Sequence, residues 1–201
     1  MNETDPPKAE TQDGRAKAKE REENAKKAQE TADWLFPGHE WIKVEDGIYR
    51  SSNKAIGKKT NYGNELRDAQ ILRDFGSTVY LMPERNDAPG KKTDAIVNGD
   101  RFEFKNVGGN TNTLEAQFMR SRRQAPNVFI NLENSDITEK QALAALRRAR
   151  NKQSTDASPG YDHYNRFKGG TAILKLRGRE KLVYVDIDSQ KNAERQKKTG
   201  R

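Results

Sequence analysis

The sequence predicts a mixed α/β (α+β) domain built on one central mixed sheet. Three observations carry that prediction. Between residues 64 and 132 the apolar residues recur with helical spacing, then in three short strand-like runs, then helically again, then as a strand: αβββαβ. Asn98-Gly99 separates the runs TDAIV and DRFEFKNV, and Asn-Gly is the strongest two-residue hairpin signal because both residues of a type I′ turn need positive φ. The third is where polarity concentrates. Of 201 residues 34% are charged and only 32% apolar, but Asn2 to Asp33 and Asp188 to Arg201 contain no Val, Ile, Leu, Phe, Trp or Tyr. Such ends bury too little apolar surface to offset their ordering entropy.

This divides the chain into a charged tail (1–33), flexible or helical through opposite charges three or four residues apart, an N-terminal extension (34–60), a main domain (61–187) and a basic tail (188–201). Within the extension, residues 40–51 read as a short hairpin, with Asp46-Gly47 as a turn signal. Asn64 can cap a helix to Phe75 with Leu66, Ala69 and Leu72 on one side, and Gly76 follows as a stop. TVYLMP is a strand ended by Pro83; the Asn-Gly hairpin comes next. A helix over 112–125 has Asn112 and Glu115 as its capping box, and the strand NVFINL follows. Thr138 and Gln141 cap a helix with Ala142, Ala145, Leu146 and Ala149 inward, stapled by Ile137. An 18-residue polar loop then precedes two strands, TAILKLR and KLVYVDI, around Gly178.

Composition excludes several classes. No run approaches the roughly 18 apolar residues of a membrane span, and Met1 is followed by acidic, Pro-containing sequence rather than a signal core, so neither membrane insertion nor export by its own signal is expected. The absence of cysteine removes disulfides, thiolate zinc sites and a cysteine nucleophile; two histidines, His39 and His163, are too few for a His-rich metal site. Of the net charge of +8, the two tails supply +1 and the core +7. A basic folded core suits a polyanion such as nucleic acid, or is simply a solubilising surface.

The hairpin places chemistry by register. With Asn98 and Gly99 as the loop, facing residues sum to 197, so Ala95 faces Phe102 and Asp94 faces Glu103. One face then carries Ala95, Val97, Phe102 and Phe104, a core face; the other carries Asp94, Glu103 and Lys105. Two carboxylates across a ladder repel and raise one pKa unless something neutralises them. A hard divalent cation such as Mg²⁺ would do so, with the lysine beside it to stabilise a phosphoryl oxygen. The alternative is a solvated strand face with an ordinary Lys105 salt bridge.

An acidic residue opening one strand and Glu-x-Lys on the next, within this element order, resembles the PD-(D/E)xK nuclease superfamily. The resemblance implies a restriction-endonuclease-like core, Asp94 and Glu103 as metal ligands, and Lys105 as the third catalytic residue. Thr93 stands where the pattern has proline. Glu65 matches a position where many members carry an accessory acidic ligand; otherwise it is a first-turn glutamate favoured by the helix dipole. Over about residues 60 to 187, the succession NELRDAQILRDFG, VYLMPE, KKTDAIVNGDRFEFKN, TNTLEAQFMRSRRQAPNVFINL and KLVYVDI is similar to the C-terminal tRNase domains of contact-dependent growth inhibition toxins. Related domains end polymorphic toxins and some phage head-associated proteins. What this implies is an RNA nuclease, a tRNase in particular, acting in the cytoplasm after delivery by a larger toxin or phage system, with a cognate immunity protein as partner.

Further candidates surround this site. Gln117, Ser121 and Gln124 share a helical face, and the two glutamines occupy positions where the toxin domains place glutamine or polar residues. Arg120, Arg122 and Arg123, with Arg147, Arg148 and Arg150, form two basic helix surfaces able to contact a sugar-phosphate backbone or merely to face solvent. The loop 153–170 interleaves Tyr161, His163, Tyr164, Arg166, Phe167 and Lys168, a pattern suited to stacking on unpaired bases. Toxin tRNases are also built on the metal-free barnase/EndoU/colicin/RelE fold, which the strand order fits less well; His163 would be its general acid or base. A non-catalytic nucleic-acid-binding or phage-associated protein is the reading from another class.

Overall fold

The computed structural model describes residues 12–57, 60–83, 93–155 and 169–187, excluding the side chains of 12–15, 17 and 153–155. Among these residues, four helices lie on one mixed sheet whose eight strands follow chain order. In sequence the elements are α1 (Gln12–Leu35), β1 (Trp41–Glu45), β2 (Ile48–Ser51), α2 (Tyr62–Asp74), β3 (Val79–Leu81), β4 (Ala95–Val97), β5 (Asp100–Asn106), α3 (Thr111–Ser121), β6 (Asn127–Leu132), α4 (Glu139–Thr155), β7 (Thr171–Leu176) and β8 (Val183–Asp186). Pairing is parallel for β2–β3, β5–β6 and β6–β7, and antiparallel elsewhere. From α2 to β6 the order is αβββαβ, as the periodicities predict.

The register sorts side chains onto two faces. Glu103 and Lys105 pair with Val128 and Ile130, so they share the face on which Val128, Ile130, Ala172 and Leu174 pack beneath Leu114 and Phe118 of α3 and Ala142, Ala145 and Ala149 of α4. α2 covers the opposite face, where Ala69 and Leu72 meet Val79, Leu81, Ala95, Val97, Phe102, Phe104 and Phe129. The core face read from the hairpin arithmetic is therefore present, with Ala95 against Phe102 and Val97 against Asp100. Asn98 (φ 51) and Gly99 (φ 90) both take the positive φ their turn requires.

Several local expectations are corrected. Residues 1–33 are not wholly a tail: Ala28, Ala32 and Phe36, spaced four apart, form a stripe that packs on Tyr80, Met82 and Ile96. Alanine suffices because its small side chain lets the helix backbone approach the sheet, and Asp33 accepts from the Trp41 indole N–H at 2.7 Å. The 34–60 segment also joins the domain sheet, β2 pairing with β3. α2 begins at Tyr62 after Asn61, so Asn64 lies inside the helix rather than capping it. In α3 the cap is Asn110, whose side chain accepts from the backbone N–H groups of Asn112 and Thr113, and the helix ends at Ser121 rather than 125. Glu115, freed from capping, is buried between Arg148 (2.5 Å) and Lys152 (3.0 Å) of α4. The Thr138–Gln141 capping box forms as expected, Gln141 Oε1 accepting from Thr138 N at 2.9 Å.

Candidate active site

The sheet opens where its strands differ in length. β4 starts at Ala95, opposite Phe102, while β5 runs on to Asn106. The N–H of Asp94 donates to the Phe102 carbonyl at 3.0 Å, so Asp94 and Ala95 both address one residue, the two-against-one arrangement of a β-bulge. Asp94 is thus turned out of the ladder and does not face Glu103 as a regular cross-strand pair. Its Oδ2 instead accepts the Phe104 N–H at 2.8 Å, a donor that an uninterrupted ladder would direct to residue 93. The bulge re-aims the carboxylate into a cleft of 530 Å³ beside the edge of β5 that β4 leaves uncovered beyond Phe102.

Asp94, Glu103 and Lys105 all line that cleft. Glu103 is 2% exposed. Its Oε1 accepts from the half-buried Lys105 ammonium, while its Oε2 is buried without a hydrogen-bond partner. The carboxyl is pushed up to about 8, first by burial and then by the negative charge of Asp94, with Lys105 acting in the opposite direction. An orphaned acceptor next to a second carboxylate is the environment that a hard divalent cation satisfies through oxygen ligands. Asp94 and Glu103 could therefore hold one. No group of three or more Asp, Glu, His or Cys suited to a metal occurs among the described residues, so the remaining ligands would come from water or substrate.

Glu65 also lines the cleft but is engaged differently. It forms a 2.5 Å ion pair with Lys54, whose side chain is 2% exposed. Lys54 carried no signal in the sequence; the residue following a hairpin gives no hint that it will be folded under the first turn of a helix. Asp68 lies one helical turn beyond Glu65. It is fully buried and lines the same cleft, and burial lifts its carboxyl to about 6 against the lowering effect of hydrogen bonds from Asn131 and Asn106. The i, i+3 spacing of Glu65 and Asp68 was the available signal, since it puts both acids on one side of α2.

The polar candidates separate. Gln117 and Gln124 both line the cleft, although Gln124 lies past the end of α3 and its carbonyl accepts from Arg101 at 3.1 Å. Ser121 is buried, its hydroxyl donating to the Gln117 carbonyl at 2.9 Å. Arg122 is not an interface residue: it is 4% exposed, and its guanidinium donates to the carbonyls of Pro126 and Gly169, bracing β6 and the entry to β7. Arg148 is committed to Glu115. Arg120, Arg123 and Arg147 are exposed. Tyr161, His163, Tyr164, Arg166, Phe167 and Lys168 lie outside the described residues. No described helix is long and apolar enough to cross a membrane.

Residues 91–157, which carry Asp94, Glu103 and Lys105, match the family model of the contact-dependent growth inhibition CdiA C-terminal domain. Among solved structures, the chain is similar to one in a CdiA-CT/CdiI toxin and immunity complex from Burkholderia pseudomallei, at 19% identity and a TM-score of 0.46, covering 67% of this chain and 96% of that one. No curated protein matches the chain.

Proposed function

We propose that the chain is a toxin domain that cleaves RNA, with tRNA as its substrate and a divalent cation held by Asp94 and Glu103. The observation that carries the reading is the buried, unpartnered Glu103 Oε2 beside Asp94 at the open end of β5, with Lys105 on the same cleft. The family-model match across this segment supports a toxin role. A producing cell would then need a cognate immunity protein, and the domain would be delivered by a larger CdiA-type protein to act in the cytoplasm of a target cell.

When bound, a divalent cation polarises the scissile phosphodiester and lowers the pKa of water to supply a nucleophile. The chain's own residues do the rest. Phe104 N–H fixes the orientation of Asp94, so its carboxylate needs no rearrangement on binding. Lys105, braced by Glu103 Oε1, keeps a positive charge at the cleft where the phosphoryl oxygens gain negative charge. The neutral amides of Gln117 and Gln124 can donate to sugar and phosphate oxygens without adding charge to the site.

A second reading is favoured by the metal position itself, where only two carboxylates converge among the described residues. In it the RNA 2′-hydroxyl is the nucleophile, and the site works without metal through Glu103, which sits near neutrality at physiological pH, and Lys105. The two are separated by end-group analysis of tRNA fragments produced by the purified chain. Water attack leaves fragments without cyclic ends; 2′,3′-cyclic phosphates would transfer the assignment to the metal-free mechanism. Intact tRNA would redirect the search to DNA or to a non-catalytic role.

A further inference from the structure

The most deeply buried acid of the cleft belongs to neither mechanism. Asp68 is 0% exposed, and both its oxygens are occupied: Oδ2 accepts from Asn106 Nδ2 at 2.8 Å and Oδ1 from Asn131 Nδ2 at 2.9 Å. Asn106 and Asn131 are register partners across the parallel β5–β6 pair. One carboxylate on α2 therefore grips two adjacent strands at a single level. The grip falls where β5 most needs it. Past Phe102 the strand has lost β4 on one side, and Asn106 directly follows Lys105.

A carboxylate is the group this position requires. Two amide N–H₂ groups converge on it, so both partners need acceptors, and a carboxylate has no donor to place against them. An asparagine here would satisfy one amide and set its own N–H₂ against the other. The alternative, that Asp68 is a free acid waiting for a ligand, does not fit two hydrogen bonds already made, one from the buried Asn131 and one from Asn106 at the end of β5.

We propose that Asp68 is the positioning residue of the cleft: by tying Asn106 and Asn131 to α2 it holds the end of β5 and so sets where Lys105 and Glu103 stand relative to Asp94. The consequence for catalysis rests on the RNA-cleaving reading given above; the clamp itself does not. It acts through the strand, not on substrate.

The test is an exchange of donor and acceptor. Asp68→Asn alone keeps the volume and breaks one bond. Combined with Asn131→Asp it remakes both: the new amide at position 68 donates to the new carboxylate at position 131 and still accepts from Asn106. On total bacterial tRNA, Asp68→Asn is expected to lower kcat by roughly 100-fold with KM changed less than about threefold, the signature of misplaced reacting groups. The exchange variant is expected to recover to within about tenfold of wild type. Wild-type kcat in Asp68→Asn would overturn the proposal, as would an exchange variant that regains the wild-type melting temperature but not kcat, since that would show the Asp68 charge acting on the reaction directly. If Asp68→Asn does not fold, the exchange variant alone decides, and failure to fold or to cleave counts against the clamp. A readout independent of cleavage is the buried side-chain amide at this clamp in NMR spectra: that of Asn131 should exchange slowly with solvent in wild type and faster in Asp68→Asn, and the new amide at position 68 should exchange slowly in the exchange variant. If wild type cleaves no tRNA, the RNA-cleaving reading fails, and slow exchange of the wild-type Asn131 amide that speeds up in Asp68→Asn still upholds the clamp, while fast exchange in wild type rejects it.

Discussion

Lys105→Ala is expected to abolish cleavage of total bacterial tRNA, lowering kcat by roughly 100-fold to 1000-fold, the range seen when one preorganised transition-state donor is removed. The chain should nonetheless stay folded. Lys105 lies on the cleft with its side chain 22% exposed, so its loss opens no cavity in the α3/α4 core. The one group it leaves behind, Glu103, already favours the protonated form because of burial and Asp94, and it can take a proton instead of remaining an uncompensated charge. Circular dichroism and a melting curve close to wild type, together with inactivity, would separate a chemical role from a structural one. An active Lys105→Ala would remove the lysine from the site. Lys105→Arg is expected to recover little, since a planar guanidinium does not reproduce the point charge of an ammonium in a confined cleft.

Glu103→Gln should also inactivate the protein, but, unlike Lys105→Ala, it should change stability, raising it at high pH. The folded-state value of Glu103 is raised to about 8, whereas the unfolded chain has an ordinary glutamate near 4.3. Between those values the folded protein binds a proton that the unfolded chain has released, so stability falls as pH rises through this window and levels off above the folded value. The loss attributable to Glu103 across the window is on the order of 3–5 kcal/mol. Asp68, raised to about 6, adds a smaller loss of the same sign. In melting experiments, wild type should therefore be markedly less stable at pH 9 than at pH 5, and Glu103→Gln should lose much of that dependence while melting above wild type at pH 9. A variant that melts below wild type at pH 9 would show that the buried carboxylate is not the liability described. Magnesium should narrow the same gap, because a cation held by Asp94 and Glu103 would favour the charged form.

The order of elements was readable because each carries its own periodicity, and the hairpin register followed from two turn residues whose positive φ only one geometry accommodates. This brought Glu103 and Lys105 to the right face. Asp94 came by a different route: the arithmetic assumed a regular ladder, and only a bulge, which leaves no mark in the sequence, carries its side chain to the Phe104 N–H. Arg122 reads like its neighbours Arg120 and Arg123, and what distinguishes it is two carbonyls, one of them 47 residues away. Asp68 depends on asparagines 38 and 63 positions distant, and Lys54 on the packing of α2 over the segment after β2. The docking of α1 was hidden because its contact stripe is largely alanine, which apolar counting of large side chains passes over. Local patterns thus set the scaffold, while the residues that aim the site are defined by contacts between distant segments.

The most direct measurement of the central claim is cleavage of total bacterial tRNA by the purified full chain, with magnesium and after complete removal of divalent cations by EDTA. Fragmentation in magnesium, none in EDTA, and recovery when magnesium is returned in excess are the predicted results. Undiminished fragmentation in EDTA would contradict the metal role of Asp94 and Glu103.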